Sequence, residues 1–177
     1  MESRAKALGH PIHQMLIPFP FGLLSTAVVF DIVYLFLNTP TRAEHISTAA
    51  FWMMGAGVVG GIAASPFGLI DYLAIPAGTR AKRVGLTHGL GNVVVLLLFA
   101  VSIYLRYASP ARPFTREPTT FAIVLALAGF ALAGLTGWLG GELVDRLGVG
   151  VDDGAHLDAP SSLRTDSARG DAPGQIV

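Results

Sequence analysis

Four long apolar stretches, separated by short segments that carry proline and charge, organise this 177-residue chain. They run over residues 16–37, 48–70, 86–105 and 119–141. A helix rises about 1.5 Å per residue and the hydrocarbon core of a bilayer is about 30 Å thick, so about 20 apolar residues suffice to cross it. Each stretch has roughly that length, and none shows the period-two alternation of a membrane-barrel strand. Asp31 is the single formal charge inside the four stretches, and His88 stands at the start of the third. The pattern predicts an all-α integral membrane protein, a four-helix up-down bundle over residues 1–150 with short loops between antiparallel neighbours. Pro18 and Pro20 open the first stretch and Pro66 lies near the end of the second. Each removes an amide donor and is expected to bend its helix.

The chain changes character after residue 150. Residues 151–177 are rich in Asp, Ser, Gly, Pro and Ala, with five Asp against two Arg. Such a stretch buries too little apolar surface to offset its ordering entropy, and it is expected to be a disordered acidic tail. At the other end, Arg4 and Lys6 precede an apolar run that is long and contains two prolines. No small-residue cleavage site leads into a soluble domain, so the run is read as a span rather than a cleavable signal.

Composition agrees with this picture and narrows the chemistry. Hydrophobic residues make up 52% of the chain and charged residues only 14%, against about 25% charged in soluble domains. A formal net charge of zero excludes the basic stripe that a nucleic-acid partner requires. The absence of cysteine excludes thiolate ligation, disulfides, iron–sulfur clusters and covalent c-type haem attachment. Without the tail, seven acids and ten bases remain, so the bundle is basic and the tail balances it. Arg4, Lys6, Arg80, Lys82, Arg83 and Arg146 flank one membrane face, whereas Arg42, Arg106, Arg112 and Arg116 flank the other. That majority predicts a cell-membrane protein with both termini in the cytoplasm.

Helices in lipid associate through close backbone approach, which small residues four apart permit. Gly57, Gly61 and Ser65 form one such seam, Gly85 and Gly89 a second, and Ala133, Gly137 and Gly141 a third. They suit packing within the bundle, association with a membrane partner subunit, or a homo-oligomer.

Alternating helix direction sends most polar side chains to one end. His10 and His13 precede the first span, Asp71 ends the second, His88 and Asn92 begin the third, and Trp138 and Glu142 end the fourth. These residues are expected to meet at the cytoplasmic end. Asp31 lies 18 residues beyond His13, about 27 Å along a helix, and cannot join them. It is read as a bundle-facing carboxylate bonded to a hydroxyl such as that of Ser102 or Tyr104, or as a proton-carrying group.

Several segments resemble the domain of unknown function 2231 (DUF2231) family of bacterial membrane proteins. They are Gly9-His10-Pro11-Ile12-His13, Phe19-Pro20-Phe21-Gly22, Phe30-Asp31, Gly68-Leu69-Ile70-Asp71-Tyr72, His88 with Asn92, and Gly137-Trp138-Leu139-Gly140-Gly141-Glu142-Leu143-Val144 followed by Gly148-Val149-Gly150-Val151. Asp145 and Leu147 stand where the family pattern carries an aromatic residue and a histidine. The resemblance covers residues 8–151 and implies the four-span architecture, with no molecular activity attached.

Three activities fit the polar end. Haem b with electron transfer would use His88 and either His13 or His10 as axial ligands, with Asn92 and Trp138 supporting them. A zinc or non-haem iron ion, or a proton pathway, would draw on His10, His13, Asp71, His88 and Glu142. A structural or accessory subunit would use the same groups as a hydrogen-bonded clasp, with no cofactor. No nucleophile stands beside a base and no phosphate-binding glycine loop occurs, so no hydrolase or nucleotide-dependent signature is present.

Overall fold

The computed structural model describes residues 1–108 and 116–163. A two-residue antiparallel hairpin, β1 (Lys6–Ala7) and β2 (His10–Pro11), leads into a short helix α1 (Ile12–Leu16). Four long helices follow: α2 (Pro18–Leu35), α3 (Pro40–Ala74), α4 (Arg80–Tyr107) and α5 (Thr120–Gly141). A π-helical turn, Glu142–Arg146, extends α5. Residues 151–163 continue as turns and irregular chain. Arg112, in the connection after α4, and residues 164–177 of the expected acidic tail lie outside the described residues.

The helices outrun the apolar stretches that announced them. Residues 38–47 are not a plain connection, because α3 begins at Pro40. A proline at the first helical position loses no hydrogen bond and presets the backbone angle, so the helix starts well before the apolar run. At the other end α3 continues through Asp71 to Ala74, and α4 starts at Arg80 behind a Thr79 cap whose hydroxyl accepts from the Lys82 amide. The second connection therefore shrinks to residues 75–79. With 35 residues, α3 is about 52 Å long and projects beyond a hydrocarbon core of about 30 Å. Hydropathy marks where lipid begins and ends; helical hydrogen bonding carries on past that boundary.

All four long helical segments are long and apolar enough to cross a membrane. α2 packs chiefly on α3 and α4 chiefly on α5, while α3–α4 and α2–α5 contacts close the ring. Leu24, Ala27, Val28, Ala50, Met54, Val95, Phe99 and Ala126 fill the middle of the axis. Large apolar side chains such as Phe19, Val59, Leu97 and Leu135 face outward, the arrangement expected where the surrounding solvent is lipid. Glycines set the helix separations at particular points. A Cβ on Gly57 would stand 2.7 Å from Leu24 Cγ, and one on Gly61 would stand 2.7 Å from Leu96 Cδ2. The first small-residue seam is thus spent inside the bundle. Gly89 and Gly137, by contrast, have no atom within 4 Å of where a side chain would begin.

Candidate functional site

The polar residues expected at one end are all there, but they divide into separate arrangements. Asp71, on the last turn of α3, receives the N-terminal segment. Ser3 Oγ lies 2.9 and 2.8 Å from its two oxygens, and the Arg4 and Ala5 amides donate to Oδ1 at 2.7 and 3.3 Å. The Met1 ammonium donates to Gly148 O at 2.8 Å and the Gly150 amide to Met1 O at 2.9 Å. Residues 1–5 therefore tie the end of α3 to the chain beyond the π-turn. Lys6 pairs with Glu2 and, at 3.6 Å, with Asp152. Its hydrogen bond holds the Glu2 carboxyl below the usual range, and the same bond raises the Lys6 ammonium.

Glu142 pairs with Arg80 at 2.6 Å, joining the π-turn to the first turn of α4. His10 is exposed, and its Nε2 lies 3.3 Å from Ser162 Oγ. Trp138 is 67% exposed and faces away from the bundle axis. The expectation of one shared ligand cluster for His10, His13, Asp71, His88 and Glu142 is therefore corrected. The carboxylates are drawn to the amides, hydroxyl and guanidinium that reach them, and His10 sits on the hairpin outside the helix packing. Among the described residues, no three His, Cys, Asp or Glu side chains converge as a metal-binding group.

His13 and His88 lie at this same end of the bundle, each tied to a different helix. His13 Nδ1 lies 3.0 Å from Ala64 O on α3, and His88 Nδ1 lies 2.8 Å from Thr136 O on α5. A carbonyl oxygen only accepts, so each Nδ1 carries its proton and each Nε2 of the neutral ring presents a lone pair. Each ring also lies on a glycine. A Cβ on Gly68 would stand 2.7 Å from His13 Cε1, and one on Gly140 would stand 3.1 Å from His88 Cε1. Asn92, one turn beyond His88, sits between His88 and Thr136: its Nδ2 is 3.2 Å from His88 Nε2, and its Oδ1 accepts from Thr136 Oγ1 at 3.0 Å. Thr136 is a member of this site that the residue pattern did not single out. A threonine inside an otherwise apolar span, set to face the third span, was the available signal.

Asp31 has a different partner from the hydroxyls expected for it. Arg106 Nη1 and Nη2 donate to its two oxygens at 2.8 and 2.6 Å, and both side chains are fully buried. Ser102 serves the arginine instead, accepting from Nε at 3.4 Å while donating to Ala122 O at 2.8 Å. Tyr104 is 65% exposed and takes no part. The apolar run ends at Leu105, which places Arg106 with the connection, yet α4 continues to Tyr107 and turns the guanidinium into the bundle. Geometry alone makes this pair: the fork of an arginine matches a carboxylate, and α2 and α4 face each other across the axis.

The Asp71 clasp makes a checkable claim. Asp71→Ala is expected to free residues 1–11, seen as loss of hydrogen-exchange protection and as new protease cleavage there, while the helices retain their protection. Removal of one charged acceptor from a half-buried site costs about 1.5–3 kcal/mol locally. Unchanged protection of Arg4 and Ala5 would show that the clasp does not hold this segment.

Comparison with known proteins bears on the whole bundle. A family model described as "Predicted membrane protein (DUF2231)" matches residues 9–153. No curated protein and no solved structure gives a match to this chain.

Proposed function

The chain belongs to the DUF2231 family of predicted membrane proteins, and from that premise we propose that it binds b-type haem between His13 and His88 and serves one-electron transfer within the membrane. One observation carries this reading. Two imidazoles from different helices are each oriented by an Nδ1–H bond to a backbone carbonyl, which puts the lone pair of each neutral ring on Nε2, with Asn92 Nδ2 standing 3.2 Å from that of His88. Histidines that ligate metals are commonly oriented through the opposite ring nitrogen in this way.

The number of ligands separates haem from a bare ion. Zinc in a structural site takes four protein ligands, and in a catalytic site three plus water. Among the described residues no group of three His, Cys, Asp or Glu side chains is placed to hold a bare ion. Two are enough for haem, because the porphyrin supplies the four equatorial nitrogens and the protein only the axial pair. His13 and His88 would hold the iron, and the group would supply an Fe(III)/Fe(II) couple for one-electron exchange between a reduced and an oxidised carrier.

The test is spectroscopic. Protein produced with ample haem and purified in mild detergent is expected to show a Soret band, with split visible bands on dithionite reduction. His88→Ala and His13→Ala should each abolish the six-coordinate low-spin signature and lower retained haem at least tenfold. Colourless wild-type protein, or spectra unaffected by either substitution, would overturn the proposal.

A further inference from the structure

We propose that the β1–β2 hairpin is a membrane-interface finger, whose tip residue Leu8 inserts into the phospholipid interface beside the end of α3. The hairpin turns through Leu8 and Gly9, both at positive φ, 51° and 84°. Two-residue turns of this kind favour Asn or Asp before the Gly, because a larger side chain crowds the backbone there. Leu8 is the one non-glycine residue with positive φ among the described residues. The protein offers its side chain little in return, since Leu8 is 78% exposed. In water, strain and exposure would both count against a leucine at this place. A lipid interface reverses the second, because an apolar side chain gains free energy on leaving water.

The hairpin also stands at the right depth. At its stem the Ile12 amide donates to Ala5 O at 2.9 Å, and the Arg4 and Ala5 amides donate to Asp71. His13, next to Ile12, reaches Ala64 O. Ala64 and Asp71 stand about 10 Å apart along α3, and the apolar run of that helix ends between them, at Ile70. The stem therefore lies where hydrocarbon gives way to headgroups. Exposed Met15 and Phe19 after the hairpin, and exposed Leu69 and Leu73 on α3, continue the lipid-facing surface up to this level. Ser162 braces the tip: a Cβ on Gly9 would stand 2.7 Å from Ser162 Cβ, and Ser162 Oγ lies 3.3 Å from His10 Nε2. With stem and tip both held, Leu8 meets lipid from a fixed backbone rather than from a loose end. Nothing in this surface depends on the reading of the histidines.

The chain has no cysteine, so Leu8→Cys carries a single bimane label at the tip, and Ala77→Cys carries one in the exposed loop between α3 and α4. Both proteins are placed in phosphatidylcholine–phosphatidylglycerol nanodiscs, which leave each membrane face open to solutes. The label at residue 8 is expected to lose most of its emission to lipid bearing a nitroxide high on the acyl chain and little to aqueous iodide. The label at residue 77 should behave in the opposite way. Iodide quenching at residue 8 as strong as at residue 77 would put the finger in water and overturn the proposal. Protection from both quenchers would mean that a protein surface, such as a second copy of the chain, covers the tip, and the lipid assignment would be equally wrong. Leu8→Asn supplies a second measurement, because asparagine suits the turn better than leucine. A finger in water predicts slower hydrogen exchange of the hairpin amides in this variant. A lipid anchor predicts exchange about fivefold faster in nanodiscs, the lost leucine transfer outweighing the relieved strain. Exchange equal to or slower than that of wild type would overturn the proposal.

Discussion

Arg106→Met alone is expected to destabilise the bundle by about 3–5 kcal/mol, the cost of leaving a buried carboxylate without its partner. The carboxylate is that of Asp31, fully buried and bonded through both oxygens. Asp31→Leu should cost a comparable amount, because it strands a guanidinium whose remaining acceptor is Ser102 Oγ at 3.4 Å. The double variant Asp31→Leu with Arg106→Met should recover most of the loss, since apolar replacement of a whole buried pair is often neutral or stabilising. Unfolding of detergent-solubilised protein by SDS titration measures all three. Additive losses, or single variants within 1 kcal/mol of wild type, would show that the pair is not what joins α2 to α4 across the axis.

Gly68→Ala should damage both the packing and the candidate haem site. An added Cβ would stand 2.7 Å from His13 Cε1, 2.9 Å from Nδ1 and 3.1 Å from Nε2. An aromatic ring cannot bend away from three such contacts; it has to move as a body, and the 3.0 Å bond to Ala64 O is then lost. Overpacking of this kind costs about 1–3 kcal/mol, and it outweighs the helix-propensity gain of up to about 1 kcal/mol that alanine brings over glycine. Gly89→Ala provides the comparison. Its Cβ would enter open space, so this variant should be as stable as wild type or slightly more so. The same pair separates the spectra: haem retention should fall in Gly68→Ala. Equal stability and equal Soret intensity in the two variants would mean that the His13 ring does not depend on the glycine beneath it.

The candidate site was legible in outline and not in its connections. His13, His88 and Asn92 could be found because ionisable and amide groups are rare in this chain and helix direction assigns each to an end. Their separation from Asp71 and Glu142 could not. Side chains on one membrane face are free to pair in several ways, and the pairing chosen here depends on backbone amides of residues 4 and 5 and on a π-turn that displaces Glu142 toward Arg80. The opposite end shows the same limit. A hydropathy boundary at Leu105 put Arg106 in water, while the helical rotation that follows Ser102 by four residues turns it inward onto Asp31.

The chain by itself determined its class, its four spans, their alternation and the shared end of His10, His13 and His88. These follow from one-dimensional quantities, the length of apolar runs against the thickness of a bilayer and the parity of crossings. Tertiary structure alone decided which polar groups are consumed in ties between helices and which partners the imidazoles of His13 and His88 take. That choice depends on distances of about 3 Å between residues tens of positions apart in sequence. Hydrogen bonds and close packing are governed at that scale, and the order of residues along the chain leaves it open.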